Sequence, residues 1–399
     1  MNEWRSRYPV LVADAQAMGA IGAIRSLGRG GYMVHACSSQ ADALGLRSNY
    51  ASAAVVCPDY DASDFLPWLK QYIQRHNLRA IVPSEGLLLA VRKEFPEFAR
   101  LFHFPQPEQI VYAGLSKSDQ LNSLLQSPNK EMVANHLPPI LLVEHPQFVP
   151  DQAELERLGA PLYIKVDACW GQVGESSAVY RASSAREASE LLAKLASRFH
   201  KALIQGHVAG QGVGVFFLSW KGQLLAEFMH LRLHEVPHTG GVSSFRKSWW
   251  HAGIRDDALA KLRQIGWEGV AMMEYRWDRA SDQFWFLEMN ARFWGSLHLA
   301  LYAGVDFPLL LLDAFHGHLP APVREFPRGV RCRHTFPKEV EYVWSRLKDR
   351  SLPLSSQIWS GVEFFLLCLD PRVYSDLLFP GDRKLYWEAF KRFLKSFLR

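Results

Sequence analysis

Apolar runs of strand length alternate with helix-length stretches over roughly the first 115 residues. Pro9–Ala13 is a short apolar run, and a Gly/Ala-rich crossover leads into a helical stretch over Ala20–Leu27 that Gly30-Gly31 ends. Tyr32–Ala36, Ala53–Val56 and Ala80–Pro83 are three further strand-like runs, with a helical segment over Phe65–His76 between the last two. Strands alternating with helices predict a parallel sheet. A loop near Pro105–Leu115 breaks this pattern, and Ser116–Leu125 reads as a helix. From Leu162 to about Leu319 short apolar runs separated by Gly turns predict a strand-rich block. The segment Pro320–Pro327 reads as a linker, and the chain from Phe336 onward reads as helical and aromatic.

Gly19 and Gly22 lie in the first crossover, but the full G-x-G-x-x-G fingerprint of dinucleotide sites is missing. Their expected role is to let a helix approach the sheet closely.

The most informative stretch is Gly269–Arg276, a polar turn over Asp278–Gln283, then Phe284–Arg292. Two strand-like runs around such a turn predict a hairpin. Glu288, Asn290 and Arg292 are two apart, so a regular strand presents them on one face, and Glu274 on the neighbouring strand can join them. Two carboxylates and an amide oxygen are hard donors suited to Mg²⁺ on a nucleotide's phosphates. An adjacent arginine suits phosphate or a substrate carboxylate. The apolar flanks, Phe284–Leu287 and Phe293-Trp294, argue that these charges are partly buried and need partners.

Composition narrows the classes. With 399 residues, 48% hydrophobic and 21% charged, the chain is globular and long enough for two or three packed units. A net charge of +5 with basic residues spread along most of the chain gives nucleic-acid binding little support. Five cysteines without CxxC or metal spacing read as reduced thiols of a cytoplasmic protein. No signal peptide is expected at the N-terminus, and the apolar stretches are too short to span a bilayer.

Glu288-Met-Asn290-Ala-Arg292, preceded by Glu274 in a Gly-Val-Ala-Met-Met-Glu strand, resembles the metal-binding hairpin of ATP-grasp enzymes. It is particularly similar to the carbamoyl-phosphate-synthase-like branch of carboxylate–amine ligases. Phe293–Leu297 and Ala303–Pro308 also resemble that branch, and the likeness runs from about residue 9 to 320. The resemblance implies an α/β chain in three parts. These are a Rossmann-like pre-ATP-grasp domain over 1–115, an ATP-grasp domain of two α+β subdomains over 116–320, and a helical extension over 321–399.

It also implies ATP and Mg²⁺ as cofactors, with Glu274, Glu288 and Asn290 holding the metal. Lys165, in the strand Pro161–Val166, matches the lysine that contacts the nucleotide phosphates. Lys117 matches a second such lysine, although Ser116 stands where the family has aspartate. Asp167–Gly174, with Gly171 and Gly174, resembles the loop that closes over the phosphates. Gln205, Gly206 and His207 fall in the hinge strand beside the adenine, with Gly206 where the family commonly has an acidic residue. Arg292 and Lys165 are the implied catalytic residues, Arg292 orienting the substrate carboxylate.

On the substrate side, Phe228–Glu235 reads as a strand that leads into a Gly-Gly loop. His230, Arg232 and His234 share a face by the two-residue period. Arg232 and Arg246 are the candidate anion contacts, with Arg276 behind them. HExxH spacing is absent, so zinc is not expected and the histidines read as solvated or substrate-facing.

The function these features imply is ATP- and Mg-dependent activation of a small-molecule carboxylate as an acyl phosphate, followed by capture by an amine or another nucleophile. The alternatives are a small-molecule kinase using the same cleft and a non-catalytic nucleotide-binding regulator. In the tail, Tyr386, Phe390, Phe393 and Phe397 share a helical face. Docking of this helix on the protein's own core is expected ahead of a membrane-surface role, and the Ile358–Leu369 run suits a homodimer interface.

Overall fold

The computed structural model describes residues 3–172 and 174–397. The chain forms two compact units. Unit 1 comprises Met1–His103, Phe216–Trp250 and Arg292–Arg399, and unit 2 comprises Phe104–Val215 and His251–Ala291. In chain order the strands are β1 (Val10–Val12), β2 (Val34–Ser38), β3 (Ala53–Val56), β4 (Ala80–Val82), β5 (Ile140–Glu144), β6 (Leu162–Val166), β7 (Ala178–Ala182) and β8 (Lys201–Gly206). They continue with β9 (Gln211–Trp220), β10 (Gln223–Val236), β11 (Val242–Ser248), β12 (Gly269–Trp277), β13 (Phe284–Asn290), β14 (Arg331–Arg333) and β15 (Val373–Ser375).

In unit 1 the expected parallel sheet forms in the order β3-β2-β1-β4. Val10, Leu11 and Val12 are wholly buried, as a strand covered on both faces requires. The helix Met18–Arg29 buries Ile21, Ile24 and Leu27 at helical spacing. Its glycines face a different neighbour from the one expected. A Cβ on Gly19 would lie 2.8 Å from the Phe293 carbonyl oxygen, and one on Gly22 would lie 2.9 Å from Leu297. They admit the Phe293–Leu297 segment rather than the sheet.

The same unit contains an antiparallel β10–β11 pair extended by β14, with β15 parallel to β14. The two short strands β14 and β15 interrupt what reads in sequence as a purely helical tail. The proline-rich segment 320–327 is pinned rather than loose, because the N–H of Val323 donates to the Leu225 carbonyl and the N–H of Glu227 to the Val323 carbonyl. In the helix Lys384–Phe397, Leu385 is buried and Phe390 and Phe393 pack on Phe336, the intramolecular docking expected of it. The Phe397 side chain lies outside the described residues.

Unit 2 holds a four-stranded antiparallel sheet in the order β5-β8-β6-β7. Its core is Leu162, Ile164 and Val166 of β6 against Ala188, Leu192 and Leu195 of the helix Ala185–Leu195. Ser184 starts that helix by accepting the N–H of Glu187. Each fully buried Leu or Ile here contributes about 1.5–3 kcal/mol by leaving water. The β12–β13 hairpin belongs to this unit, while β9 begins in unit 2 and ends in unit 1. Helices Ala185–Leu195, Ala252–Ile265, Leu297–Tyr302 and Phe307–Phe315 fall within the stretch that reads as strand-rich.

Candidate functional site

The β12–β13 hairpin turns at residues 278–283, where Asp278 accepts the Ser281 hydroxyl. Its register sets Glu274 directly opposite Glu288 and Met272 opposite Asn290, so Glu274, Glu288 and Asn290 share a face. Asn290 Nδ2 donates to Glu274 Oε1 at 3.0 Å and to Glu288 Oε1 at 3.4 Å. Lys165 reaches this group from β6, its Nζ 3.1 Å from Glu288 Oε2 and 3.4 Å from the Leu287 carbonyl oxygen. Like charges opposed on neighbouring strands repel. Here the Lys165 ammonium and the Asn290 amide offset part of that repulsion.

Burial alone would raise the Glu288 carboxyl. The charges of Lys165 and Lys117, with hydrogen bonds from Lys165 and Asn290, overcome it and hold the group down at about 2. Glu288 is therefore an anion across the physiological range.

Lys117 opens the helix Lys117–Leu125, which Ser116 caps by accepting the N–H of Asp119. Its partner is Asp167, which sequence reasoning did not single out. Asp167 Oδ2 accepts the Lys117 N–H at 2.8 Å and Oδ1 accepts its ammonium at 3.1 Å. Burial dominates at Asp167 and keeps its carboxyl above the ordinary range despite Lys117. Gln120 is a second unforeseen residue. Its amide donates to the Gly114 and Met289 carbonyls and accepts the Met289 N–H, clamping β13 between Glu288 and Asn290. Neither residue belongs to a spacing pattern, so nothing in the sequence marked them.

The expected phosphate loop is partly built in. Ala168–Trp170 forms a turn of 3₁₀ helix, and Trp170 Nε1 donates to Asp119 at 2.8 Å with the Lys201 ammonium 3.9 Å from the centre of its ring. Gly171 bridges to Phe199, where a Cβ would meet Glu175 at 2.7 Å, so this glycine serves packing. Gly174 has φ +89° with open space around it, as a loop glycine requires. Val173, between them, lies outside the described residues. At the hinge, Gln205 and Gly206 end β8 between β5 and β6, and the Gly206 N–H donates to the Pro139 carbonyl. A Cβ at Gly206 would lie 2.2 Å from the Leu158 carbonyl oxygen, which explains why no acidic side chain stands there. His207 is exposed, with Nδ1 3.4 Å from the Tyr163 hydroxyl.

Three of the remaining expected residues, Arg292, Arg246 and Arg232, belong to unit 1. Arg292 lies past the end of β13, exposed, with Nη1 donating to the Phe293 carbonyl. It therefore does not share the strand face of Glu288 and Asn290, because the extended backbone stops at Asn290. Arg246 is an interior ion pair with Asp376, a correction to its reading as an anion contact. Arg232 is buried, with Nη1 donating to Glu235 and to the Gly241 carbonyl. Arg276, in unit 2, donates to the Gly210 carbonyl.

The histidines depart from expectation. A register shift between Arg232 and His234 breaks the two-residue period, so they do not form a regular row. None is solvated. His230 is wholly buried, its two ring nitrogens have no hydrogen-bond partner, and burial beside Arg232 and Arg246 keeps it neutral. His234 stacks on Tyr342 at 4.0 Å and meets Glu339 and Glu363. His238 contacts Ser345 and Asp349. Among the described residues, no group of three or more His, Cys, Asp or Glu side chains is arranged to hold a metal.

No protein-family model and no curated protein matches the sequence. Solved structures do match in fold. An L-amino acid ligase from Bacillus licheniformis superposes with TM-score 0.57 at 15% identity, covering 77% of this chain and 74% of that one. An N5-carboxyaminoimidazole synthetase from Staphylococcus aureus, complexed with ADP, gives 0.58 at 14% identity, covering 83% and 82%. The biotin carboxylase domain dimer of Hydrogenobacter thermophilus 2-oxoglutarate carboxylase, with MgADP and bicarbonate, gives 0.57 at 16%, covering 81% and 73%. With the parallel sheet of unit 1 and the antiparallel sheet and hairpin of unit 2, the chain has the ATP-grasp fold.

Proposed function

We propose that this protein is an ATP-dependent carboxylate–amine ligase. The observation that carries the reading is the hairpin group of unit 2, where the register sets Glu274 opposite Glu288 with Asn290 bridging them and Lys165 beside Glu288. Two carboxylates and an amide are the hard donors that Mg²⁺ takes, and a divalent cation between the opposed carboxylates would relieve their repulsion. Bound there, the metal would supply charge neutralisation for a nucleotide's phosphates. The ADP- and MgADP-bound neighbours of the same fold support the choice of cofactors.

In this reading a carboxylate oxygen attacks the γ-phosphorus of ATP, the bond to the bridging oxygen breaks, and ADP leaves. An amine then attacks the acyl phosphate carbonyl, inorganic phosphate leaves, and the amine gives up a proton. Lys165 and Lys117 neutralise charge on the transferred phosphoryl group, while Asp167 holds Lys117 in position. Gly174 lets backbone approach the phosphates, and the chain at Gln205–His207 borders the base. The functional division we propose is the lead domain over 1–115, the nucleotide-clasping domain over 116–320 and the extension over 321–399, in a cytoplasmic protein.

A screen of amino acids and small carboxylates, each paired with amines and read as Mg-dependent ADP release, tests the proposal. A hit should yield an amide together with ADP and phosphate, and Glu288→Ala should abolish the signal. A phosphorylated product without amide would make the enzyme a kinase. Failure of ATP with Mg²⁺ to bind would end the reading altogether.

A further inference from the structure

Exposed large hydrophobic side chains are unevenly distributed. Of the 21 among the described residues, 13 fall between Trp344 and Leu394, and the rest are scattered along the first 319 residues. Their centre is the helix Leu354–Leu369. Leu354, Ile358, Val362, Phe365 and Leu369 recur at helical spacing with Trp359 and Leu366 alongside, and Phe365 and Leu369 are 68% and 80% exposed. Ser355, Gly361 and Cys368 are the other residues of this face, which carries no charge. Ser360 is the helix's buried position. A helix that turns an uncharged apolar face to solvent is unusual in a lone globular chain.

The stretch of chain that carries this face is basic. Residues 321–399 hold 15 Lys and Arg against 9 Asp and Glu, whereas residues 1–320 hold 30 against 31. The four acidic residues between Val340 and Leu369's successor Asp370 all have basic partners: Glu341 with Lys338, Asp349 with His238, Glu363 with His234, and Asp370 with Arg331 and Arg372. Arg346, Lys348 and Arg350 cluster where the helix Val340–Lys348 turns toward Leu354. Two tryptophans, Trp344 and Trp359, are more than half exposed, and Lys348 stands 4.8 Å from the ring centre of Trp344. Tryptophan and snorkelling cations favour the boundary between lipid headgroups and acyl chains.

We propose that the helix Leu354–Leu369 seats the protein on an anionic lipid surface, its apolar face entering the headgroup boundary and the 346–350 cations contacting acidic headgroups. At 16 residues the helix lies on the surface, because no helix among the described residues is long and apolar enough to cross a membrane. A symmetric pair of chains is a poorer occupant. An isologous contact sets the same patch against itself, and here would bring one basic rim against another.

The test is flotation of the full chain with vesicles of phosphatidylcholine alone or with about one-third phosphatidylserine. The expected result is co-flotation with the anionic vesicles, about tenfold or more above the neutral ones, with a blue shift of tryptophan emission. The double variant Phe365→Glu/Leu369→Glu should lose flotation while keeping the wild-type melting temperature, since both side chains are exposed. Lys348→Glu/Arg350→Glu should lose the preference for acidic lipid. Wild-type protein that stays unbound with anionic vesicles overturns the proposal. So does a dimer in solution that Phe365→Glu/Leu369→Glu dissociates, which would assign the face to a second copy.

Discussion

The two units each bury cations against carboxylates, and they balance those charges differently. In unit 1, Arg25 is wholly buried with its guanidinium fully used. It pairs with Asp382 at 2.8 Å, contacts His298, and donates to the Asp376 and Leu377 carbonyls. Arg246 with Asp376 is a second interior ion pair, equal in charge, although Arg246 Nε and Asp376 Oδ2 have no hydrogen-bond partner. In unit 2, two carboxylates stand opposed on neighbouring strands, with Lys165 facing one of them and Asn290 bridging both. A saturated pair holds segments of the chain together, whereas an unbalanced one at the edge of solvent has capacity left for a ligand. Charge balance therefore separates framework from site more cleanly than residue type does.

The largest effect should come from breaking the saturated pair. Arg25→Met leaves Asp382 buried without its cation and should cost about 3–5 kcal/mol in denaturant unfolding. Nucleotide turnover per folded molecule should remain near wild type. A loss below about 1 kcal/mol would remove the distinction between the units. Glu274→Gln is the counterpart in unit 2. Relieving its repulsion with Glu288 should leave the melting temperature unchanged or raised, while ADP release falls by about 10²–10³-fold. Destabilisation without loss of turnover would make this pair framework as well.

A smaller effect sharpens the unit 1 side. Burial opposes charging His234, but Glu339 and Glu363 prevail and raise it to about 9. The folded value lies above the unfolded value of about 6.5. The stabilisation is therefore complete below pH of about 6.5 and is lost as pH rises through about 9. Melting temperatures measured across this window should fall, and His234→Gln should flatten the decline.

Much of the hairpin group was legible because hairpin register follows local rules. Alternation and a polar turn suffice to place Glu274, Glu288 and Asn290 on one face. The same rule failed for Arg292, where the strand stops at Asn290, and for His234, where a bulge breaks the period. Asp167 and Gln120 were invisible for another reason. Their roles are hydrogen bonds to backbone far along the chain, such as Gln120 to Met289, and no local pattern encodes a partner 169 residues away.

The strand–helix alternation of the lead segment, its parallel sheet and the acidic hairpin were determined by the sequence itself, since hydrophobic periodicity and turn chemistry act over a few residues at a time. Tertiary structure alone decided which charges are saturated, why Gly206 admits no side chain beside the Leu158 carbonyl, and which apolar helix stays uncovered. Those outcomes depend on what packs against a residue from distant segments of the chain, and burial and partner count are properties of the assembled core.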